Sequence, residues 1–133
     1  MKYLLDTDTC IFAIKQNASV LERLLSKRRS DVALSVVTEA ELRTGAATST
    51  APKKTLARLE SFLAPLQILE LSSEDAIAYA RIRARLEGEG RPIGPLDTLI
   101  AGHAVSRGLV LVTSNEREFR RVPKLKVENW RTA

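Results

Sequence analysis

Residues 3–10 of the chain read YLLDTDTC, a short apolar run that ends in two aspartates one residue apart. The segment from Lys2 to Leu5 has the character of a short buried strand. Secondary-structure propensity poorly explains an aspartate that follows such a strand directly. The two aspartates are therefore expected either to lie on a solvated turn or to bind a positively charged group. The other acidic segments of the chain distinguish these two possibilities.

Further strand-like runs alternate with helical patterns along the chain, and they predict an α/β fold. The predicted strands after the first are residues 32–37, 67–71, 109–112 and 126–128. Thr7 or Asp8 is predicted to cap a first helix, and Thr38 to open another with a capping box. Other helix starts are predicted at Pro52, at Ser72 or Ser73, and at Pro95. The order β-α-α-β-α-α-β-α-α-β-α-β predicts a three-layer α/β/α sandwich. Its central sheet is expected to be mostly parallel, with four to five strands and helices on both faces.

The bulk composition predicts one soluble, cytoplasmic domain over residues 1–133. Apolar residues make up 44% of the chain and charged residues 28%, which is ordinary for a globular protein. A single cysteine, Cys10, allows no internal disulfide. The start MKYLLDTD reaches an acid too early for a signal peptide, and no apolar run approaches the ~20 residues of a bilayer span. No membrane association is expected.

Acidic or amide side chains follow several of the predicted strands or open the helices after them. Asp6 follows the first strand, Glu41 and Asp97 lie in predicted first helical turns, and a cluster follows residue 112. That cluster comprises Asn115, Glu116 and Glu118. In a parallel α/β sheet, ligand sites form along the carboxyl edge of the strands, so these side chains are expected to converge. The alternative is that each acid simply stabilises a helix amino end, which contributes about 0.3–1 kcal/mol. Asp8 fits a cap or turn better than a ligand.

Convergence of Asp6, Glu41 and Asp97 would require a cation. Two carboxylates ~5 Å apart repel by roughly 3 kcal/mol at an effective dielectric constant near 20. No Lys or Arg stands beside these acids in the sequence. An all-oxygen site without a His or Cys cluster suits Mg²⁺, with Mn²⁺ as a substitute.

The charge distribution favours an anionic substrate. The chain carries 21 Lys and Arg against 16 Asp and Glu. Setting aside Asp6, Asp8, Glu41 and Asp97 leaves 12 acidic side chains, so the remaining surface is strongly basic. A basic rim around an acidic metal site suits phosphodiester hydrolysis. The lone His103 and Cys10 are expected to have structural roles.

Four segments together resemble a known family, the PIN domain, and within it the VapC-type toxin ribonucleases of toxin–antitoxin pairs. They are YLLDTDTCIFAIK, LSVVTEAELRTGA, RPIGPLDTLIAGHA and LVTSNEREFRRVPKLKVENW, and they cover almost the whole chain in the family's order. The resemblance implies an endoribonuclease whose catalytic acids are Asp6, Glu41 rather than Glu39, and Asp97. Asp6 and Asp97 would bind Mg²⁺, and Glu41 would complete the cluster directly or through water.

The chain departs from the family at Asn115 and at Leu96, the position before Asp97, where relatives often have a polar residue. Many PIN domains carry a fourth acid where this chain has Asn115, whose amide oxygen can bind Mg²⁺ but brings no charge. Glu118 or Glu116 could replace that acid only if the local turn brings it close. The number of metal ions, one or two, therefore stays open.

The resemblance also implies partners. A cognate VapB-type antitoxin would block the site, the toxin would form a homodimer, and a larger assembly on operator DNA is expected. Transfer RNA is the first expectation for the substrate. Candidate RNA-binding residues, named for their expected proximity to the proposed carboxyl edge of the sheet, are Arg43, Arg91, Arg117, Arg120 and Arg121.

Two other functions fit part of the sequence. The stretch from Asp6 to Thr9 also matches the opening of haloacid-dehalogenase-type phosphatases. That family needs late aspartates, and beyond residue 31 only Asp75 and Asp97 remain. The second alternative is a catalytically degenerate PIN-like RNA-binding module whose acids are only helix caps, which Asn115 favours.

Overall fold

The computed structural model describes residues 1–132, and these contain five strands and seven α-helices. The strands are β1 (Tyr3–Leu5), β2 (Val32–Ser35), β3 (Gln67–Leu69), β4 (Val110–Val112) and β5 (Lys126–Glu128). The helices are α1 (Thr7–Ile14), α2 (Ala18–Leu25), α3 (Val36–Ala47), α4 (Pro52–Leu63), α5 (Ser73–Gly88), α6 (Pro95–Arg107) and α7 (Glu116–Phe119). The order of elements is the predicted one.

All five strands are parallel, in the order β3-β2-β1-β4-β5. The central strand is β1, in which Leu4 pairs with Ala33 on one side and with Leu111 on the other. Crossover connections between parallel strands place helices over the sheet, so its strands are buried on both faces. This confirms the predicted sheet and sets its strand number at five.

Successive residues of β1 point into two separate hydrophobic cores. Leu4 packs with Ile82 of α5 and Ile100 of α6 on one face. Leu5 packs on the other face with residues of α1 to α4, among them Leu42. The two cores lie on opposite sides of the sheet because neighbouring strand residues alternate in direction. The fold is therefore the predicted α/β/α sandwich.

The connectivity reverses direction between β1 and β4. The chain proceeds outward from β1 to β2 and β3 with α1–α4 on one face, then returns across the sheet through α5 and α6 to β4 on the other side of β1. Such a switch point opens a crevice at the carboxyl ends of the two strands. At this crevice the Asp6 N–H donates to the carbonyl of Val112, 3.0 Å away.

The start of α3 differs from the prediction. Residues 36 and 37 were expected to continue a strand, with a capping box at Thr38. Instead the Ser35 hydroxyl accepts a hydrogen bond from the Val37 N–H at 3.0 Å and caps a helix that begins at Val36. The strand propensity of two valines is outweighed by a serine cap in this context. Glu41 consequently lies in the second turn of α3, and the helix continues past Gly45.

Other boundaries shift by a few residues. The N-cap of α1 is Asp6, whereas Thr7 or Asp8 was predicted. The strand β3 ends at Leu69, and a capping box does form at α5, between Ser72 and Asp75. Proline opens α4 and α6 as predicted. Among residues 1–132, no helix combines the length and apolar character that crossing a bilayer requires.

Candidate metal centre

Asp6 is a buried acid at the switch point of the sheet, with only 4% of its surface exposed. Its Oδ1 accepts a hydrogen bond from the Thr9 N–H at 2.8 Å, which makes it the N-cap of α1. Burial raises its pKa, although hydrogen bonds from Thr113 and Thr9 oppose that increase. The helix-cap interpretation is therefore correct for Asp6 but incomplete, because a cap does not require burial of the carboxylate.

Asp97 lies in the first turn of α6, and its environment shows that acids from several segments face it. Burial contributes most to raising its pKa, which is about 6, and the charges of Glu41, Asp6, Glu118 and Asp8 raise it further. Like charges have such an effect only over short distances. No donor within residues 1–132 hydrogen-bonds to the Asp97 carboxylate, so both of its oxygens are unengaged.

Glu41 is held by a hydroxyl group from another helix. The Thr7 Oγ1 donates to Glu41 Oε1 at 2.6 Å, a contact between residues 34 positions apart that joins α1 to α3. The same hydroxyl lies 3.4 Å from that of Thr38, which is fully buried. From the sequence, Thr7 was predicted only as a possible helix cap. Its hydrogen bond to Glu41 was not predicted.

The segment after β4 brings a threonine, an amide and a fourth carboxylate to the site. Thr113 is fully buried, accepts from the Asn115 N–H at 2.9 Å, and opposes the increase that burial causes in the Asp6 pKa. The Asn115 side-chain Nδ2 donates to Glu118 Oε2 at 3.0 Å. Thr113 was not predicted, although its position directly after β4 matches that of Asp6 after β1.

Glu116 and Glu118 point to different surroundings. Glu116 accepts from Arg120 at 2.7 Å and from Asn129 at 3.1 Å, and these contacts lower its pKa. Glu118 instead adds negative charge beside Asp97. Of the two glutamates considered as replacements for the fourth acid, the structure thus brings Glu118 to the site.

The oxygen ligands of the site suit a hard cation, but the acidic side chains do not lie close enough together to enclose it. The acids and amides supply only oxygen ligands, which Mg²⁺ and similar ions prefer. Within residues 1–132, no three His, Cys, Asp or Glu side chains lie close enough together to hold a metal ion as they stand. The carboxylates therefore face one another at a spacing that raises the Asp97 pKa without forming a complete coordination shell.

Comparison with known proteins identifies the fold family. Residues 3–125 match the PIN domain family. The chain is a PIN-domain protein. Proteins named VapC resemble it along its whole length: it is 44% identical over 130 residues to the tRNA(fMet)-specific endonuclease VapC of Salmonella typhimurium and 39% identical over 130 residues to ribonuclease VapC2 of Haemophilus influenzae. Each alignment covers 98% of both chains.

Solved structures place this PIN domain among VapC proteins. The crystal structure of DNA-bound VapBC from Salmonella typhimurium superposes with a TM-score of 0.93 at 45% identity, covering 98% of each chain. VapBC2 from Rickettsia felis, bound to a promoter DNA fragment, gives 0.89 at 37% identity, covering 98% of this chain and 99% of that one. PIN-domain nucleases of the VapC type generally depend on a divalent metal ion.

The five candidate RNA-binding arginines of this PIN domain differ in what their side chains contact. Arg43 is ion-paired with Glu39 and Glu60 at 2.9 and 2.6 Å, and those contacts raise its pKa. Arg120 pairs with Glu116, and Arg121 donates to the carbonyl of Pro92 at 3.2 Å.

The guanidinium groups of Arg91 and Arg117 have no polar partner within the described part of the chain. Both residues flank the acidic segments, Arg91 before α6 and Arg117 in α7. They are therefore the members of the set whose guanidinium donors are all available to a ligand.

His103 and Cys10 have the structural roles that the sequence predicted. His103 is fully buried, with Nδ1 2.9 Å from the Ser35 hydroxyl and Nε2 3.5 Å from Asp75 Oδ2. Burial lowers the pKa of His103, which favours the neutral ring. Cys10 is a buried free thiol in the core beneath α1.

Proposed function

We propose that this protein is a VapC-type toxin, an endoribonuclease that hydrolyses RNA phosphodiester bonds with the help of Mg²⁺, and that its 133 residues form one domain acting in the cytoplasm. The observation that carries the proposal is the Asp97 carboxyl, whose pKa is raised to about 6 by burial first and then by the charges of Glu41, Asp6 and Glu118. Helix capping alone would not bring acids from four segments into mutual repulsion.

The residues present fit a divalent cation. Asp6 and Asp97 would hold it directly, and Glu41 would bind it directly or through water. The repulsion that raises the Asp97 pKa is relieved when a cation draws the carboxylates together. A bound Mg²⁺ or Mn²⁺ supplies an activated water and neutralises the negative charge that develops on the phosphate.

The protein's own side chains orient the substrate and the water. Arg91 and Arg117 carry unpaired guanidinium groups that can bind RNA phosphates. Glu41 is oriented by the hydrogen bond from Thr7, and its carboxylate would accept a hydrogen bond from the attacking water. Glu118 supplies the fourth negative charge that Asn115 lacks.

Relatives named as tRNA(fMet)-specific endonucleases make transfer RNA the preferred substrate. The structural neighbours are VapBC complexes, some bound to DNA, which supports a cognate VapB-type antitoxin and an assembly on operator DNA. An antitoxin arginine entering the carboxylate cluster would replace the charge of the cation and block activity. We also propose a homodimer.

The test is cleavage of transfer RNA by the purified chain with and without Mg²⁺. We expect cleavage that EDTA abolishes and that the Asp97→Asn variant lacks. Binding of RNA without cleavage in Mg²⁺ or Mn²⁺ would instead support the degenerate RNA-binding module that Asn115 favours. Release of phosphate from small phosphate esters without RNA cleavage would support the dehalogenase-type alternative.

A further inference from the structure

The contact between Thr7 and Glu41 is the tightest of those that hold the acids of the site. The hydroxyl-to-carboxylate distance is 2.6 Å, compared with 2.8 Å for the donor to Asp6 and 3.0 Å for the donor to Glu118. A hydroxyl bonded to an ionised carboxylate at this distance forms a charge-assisted hydrogen bond, about twice as strong as a neutral one.

Helix formation does not account for this contact. Threonine hydroxyls near helix starts usually bond to nearby backbone groups. Thr7 is the first residue of α1, and the N-cap role there already belongs to Asp6. The Thr7 hydroxyl instead reaches α3, and because Thr7 is only partly buried, water could otherwise satisfy it.

We propose that Thr7 is a positioning residue that fixes the Glu41 carboxylate beside Asp6, an inference that rests on the proposed nuclease function. A hydroxyl group has one proton to donate, and at Thr7 it goes to Glu41 Oε1. This bond restrains the orientation of the Glu41 carboxylate, whose remaining lone pairs stay available at the site. Because Thr7 directly follows Asp6, the bond sets the second acid against the first without any contact between the two carboxylates.

The consequence of losing this bond is greater freedom of the Glu41 side chain. A glutamate released from a fixed rotamer regains side-chain entropy, which it must lose again in the transition state. We therefore expect Thr7→Val, which keeps the shape and removes the donor, to lower kcat about tenfold and to weaken Mn²⁺ binding by the protein alone several-fold. Thr7→Ser keeps the hydroxyl and should restore most of both.

Thr44→Val is the matched control. Thr44 lies in the same helix as Glu41, is exposed, and bonds only to the Ala40 carbonyl at 2.9 Å. The same substitution there should leave kcat, Mn²⁺ affinity and KM unchanged. Mn²⁺ affinity is measured by titration calorimetry on the metal-free protein, and kcat and KM by initial rates on transfer RNA.

A double variant separates positioning from a structural role. If Thr7 acts only through Glu41, adding Thr7→Val to Glu41→Gln should cause no further loss of cleavage. Equal kcat and equal Mn²⁺ affinity in wild type and Thr7→Val would overturn the inference, as would a loss that Thr7→Ser does not restore. A wild-type chain that cleaves no RNA would instead refute the proposed function, which keeps the two failures distinct.

Discussion

Replacing Asp97 by asparagine should abolish cleavage and at the same time stabilise the metal-free protein. The carboxyl pKa is about 6 rather than its ordinary 3.8, because burial and the neighbouring acids disfavour the ionised form. A pKa raised by about two units corresponds to roughly 3 kcal/mol of destabilisation of the ionised folded state. Asp97 is only half-buried, so solvent screening reduces this to about 1–2 kcal/mol.

The pH dependence of this gain follows from the direction of the shift. Folded Asp97 binds its proton more tightly than the unfolded chain does, so its ionisation destabilises the fold above about pH 6. That destabilisation fades as the pH falls from 6 towards 3.8, because the unfolded chain then begins to bind the proton as well. Asp97→Asn should therefore raise Tm by about 4–7 °C at pH 7.5 in EDTA and leave it almost unchanged at pH 4.

The assay is thermal unfolding by circular dichroism at several pH values, with and without Mg²⁺. Adding Mg²⁺ should raise the Tm of the wild type, because the ion binds only the folded state, and should raise that of Asp97→Asn much less. A lower Tm for the variant at pH 7.5 would refute the reasoning, as would a gain that does not depend on pH.

The remaining predictions concern residues around the site and a buried ion pair away from it. Glu118→Gln should reduce the rate of RNA cleavage, because Glu118 adds negative charge beside Asp97. Glu116→Gln should leave that rate unchanged, because Glu116 lies in the same short helix but is paired with Arg120. Equal rates in the two variants would contradict the assignment of Glu118 to the site. Arg91→Ala and Arg117→Ala should each weaken RNA binding and lower the slope of log affinity against log salt by about 1, as measured by fluorescence anisotropy. Asp75→Asn should lower Tm at pH 7.5, and this loss should shrink gradually as the pH falls below 3.8, because burial raises the Asp75 pKa but hydrogen bonds from Arg107 and Ser106 outweigh it and hold the pKa far below its ordinary value. A pH-independent loss of Tm would show that the charge of Asp75 is not responsible.

The sequence singled out Asp6 and Asp97 as candidate site residues because strand and helix patterns define the position of each. Asp6 ends a buried strand, and Asp97 follows a proline that opens a helix, so both were assigned to the carboxyl edge of a parallel sheet. Glu41 was also found, but for a reason that was partly wrong. The expected capping box at Thr38 does not form, and Thr38 is a buried residue inside the helix.

Other features depend on tertiary contacts that local patterns do not contain. The bond from Thr7 to Glu41 joins residues 34 positions apart. The choice between Glu116 and Glu118 depends on how α7 is rotated, which a four-residue helix does not reveal from its sequence.

Helical geometry argues against Arg43 as an RNA-binding residue beside Glu41. Arg43 lies two residues after Glu41, so the two side chains point to nearly opposite sides of α3. In the structure Arg43 faces Glu39 and Glu60, one of them a helical turn earlier in α3. Arg43 was expected near the proposed edge of the site, but its guanidinium group is engaged by Glu39 and Glu60.

The most direct test is a crystal structure of the metal-free protein soaked in Mn²⁺, with anomalous scattering used to locate the ion. The convergence of acids predicts an anomalous peak bonded directly to the carboxylates of Asp6 and Asp97, with Glu41 as a third ligand or one water away. A protein that cleaves RNA in Mn²⁺ but shows no ion at Asp6 and Asp97 would contradict it.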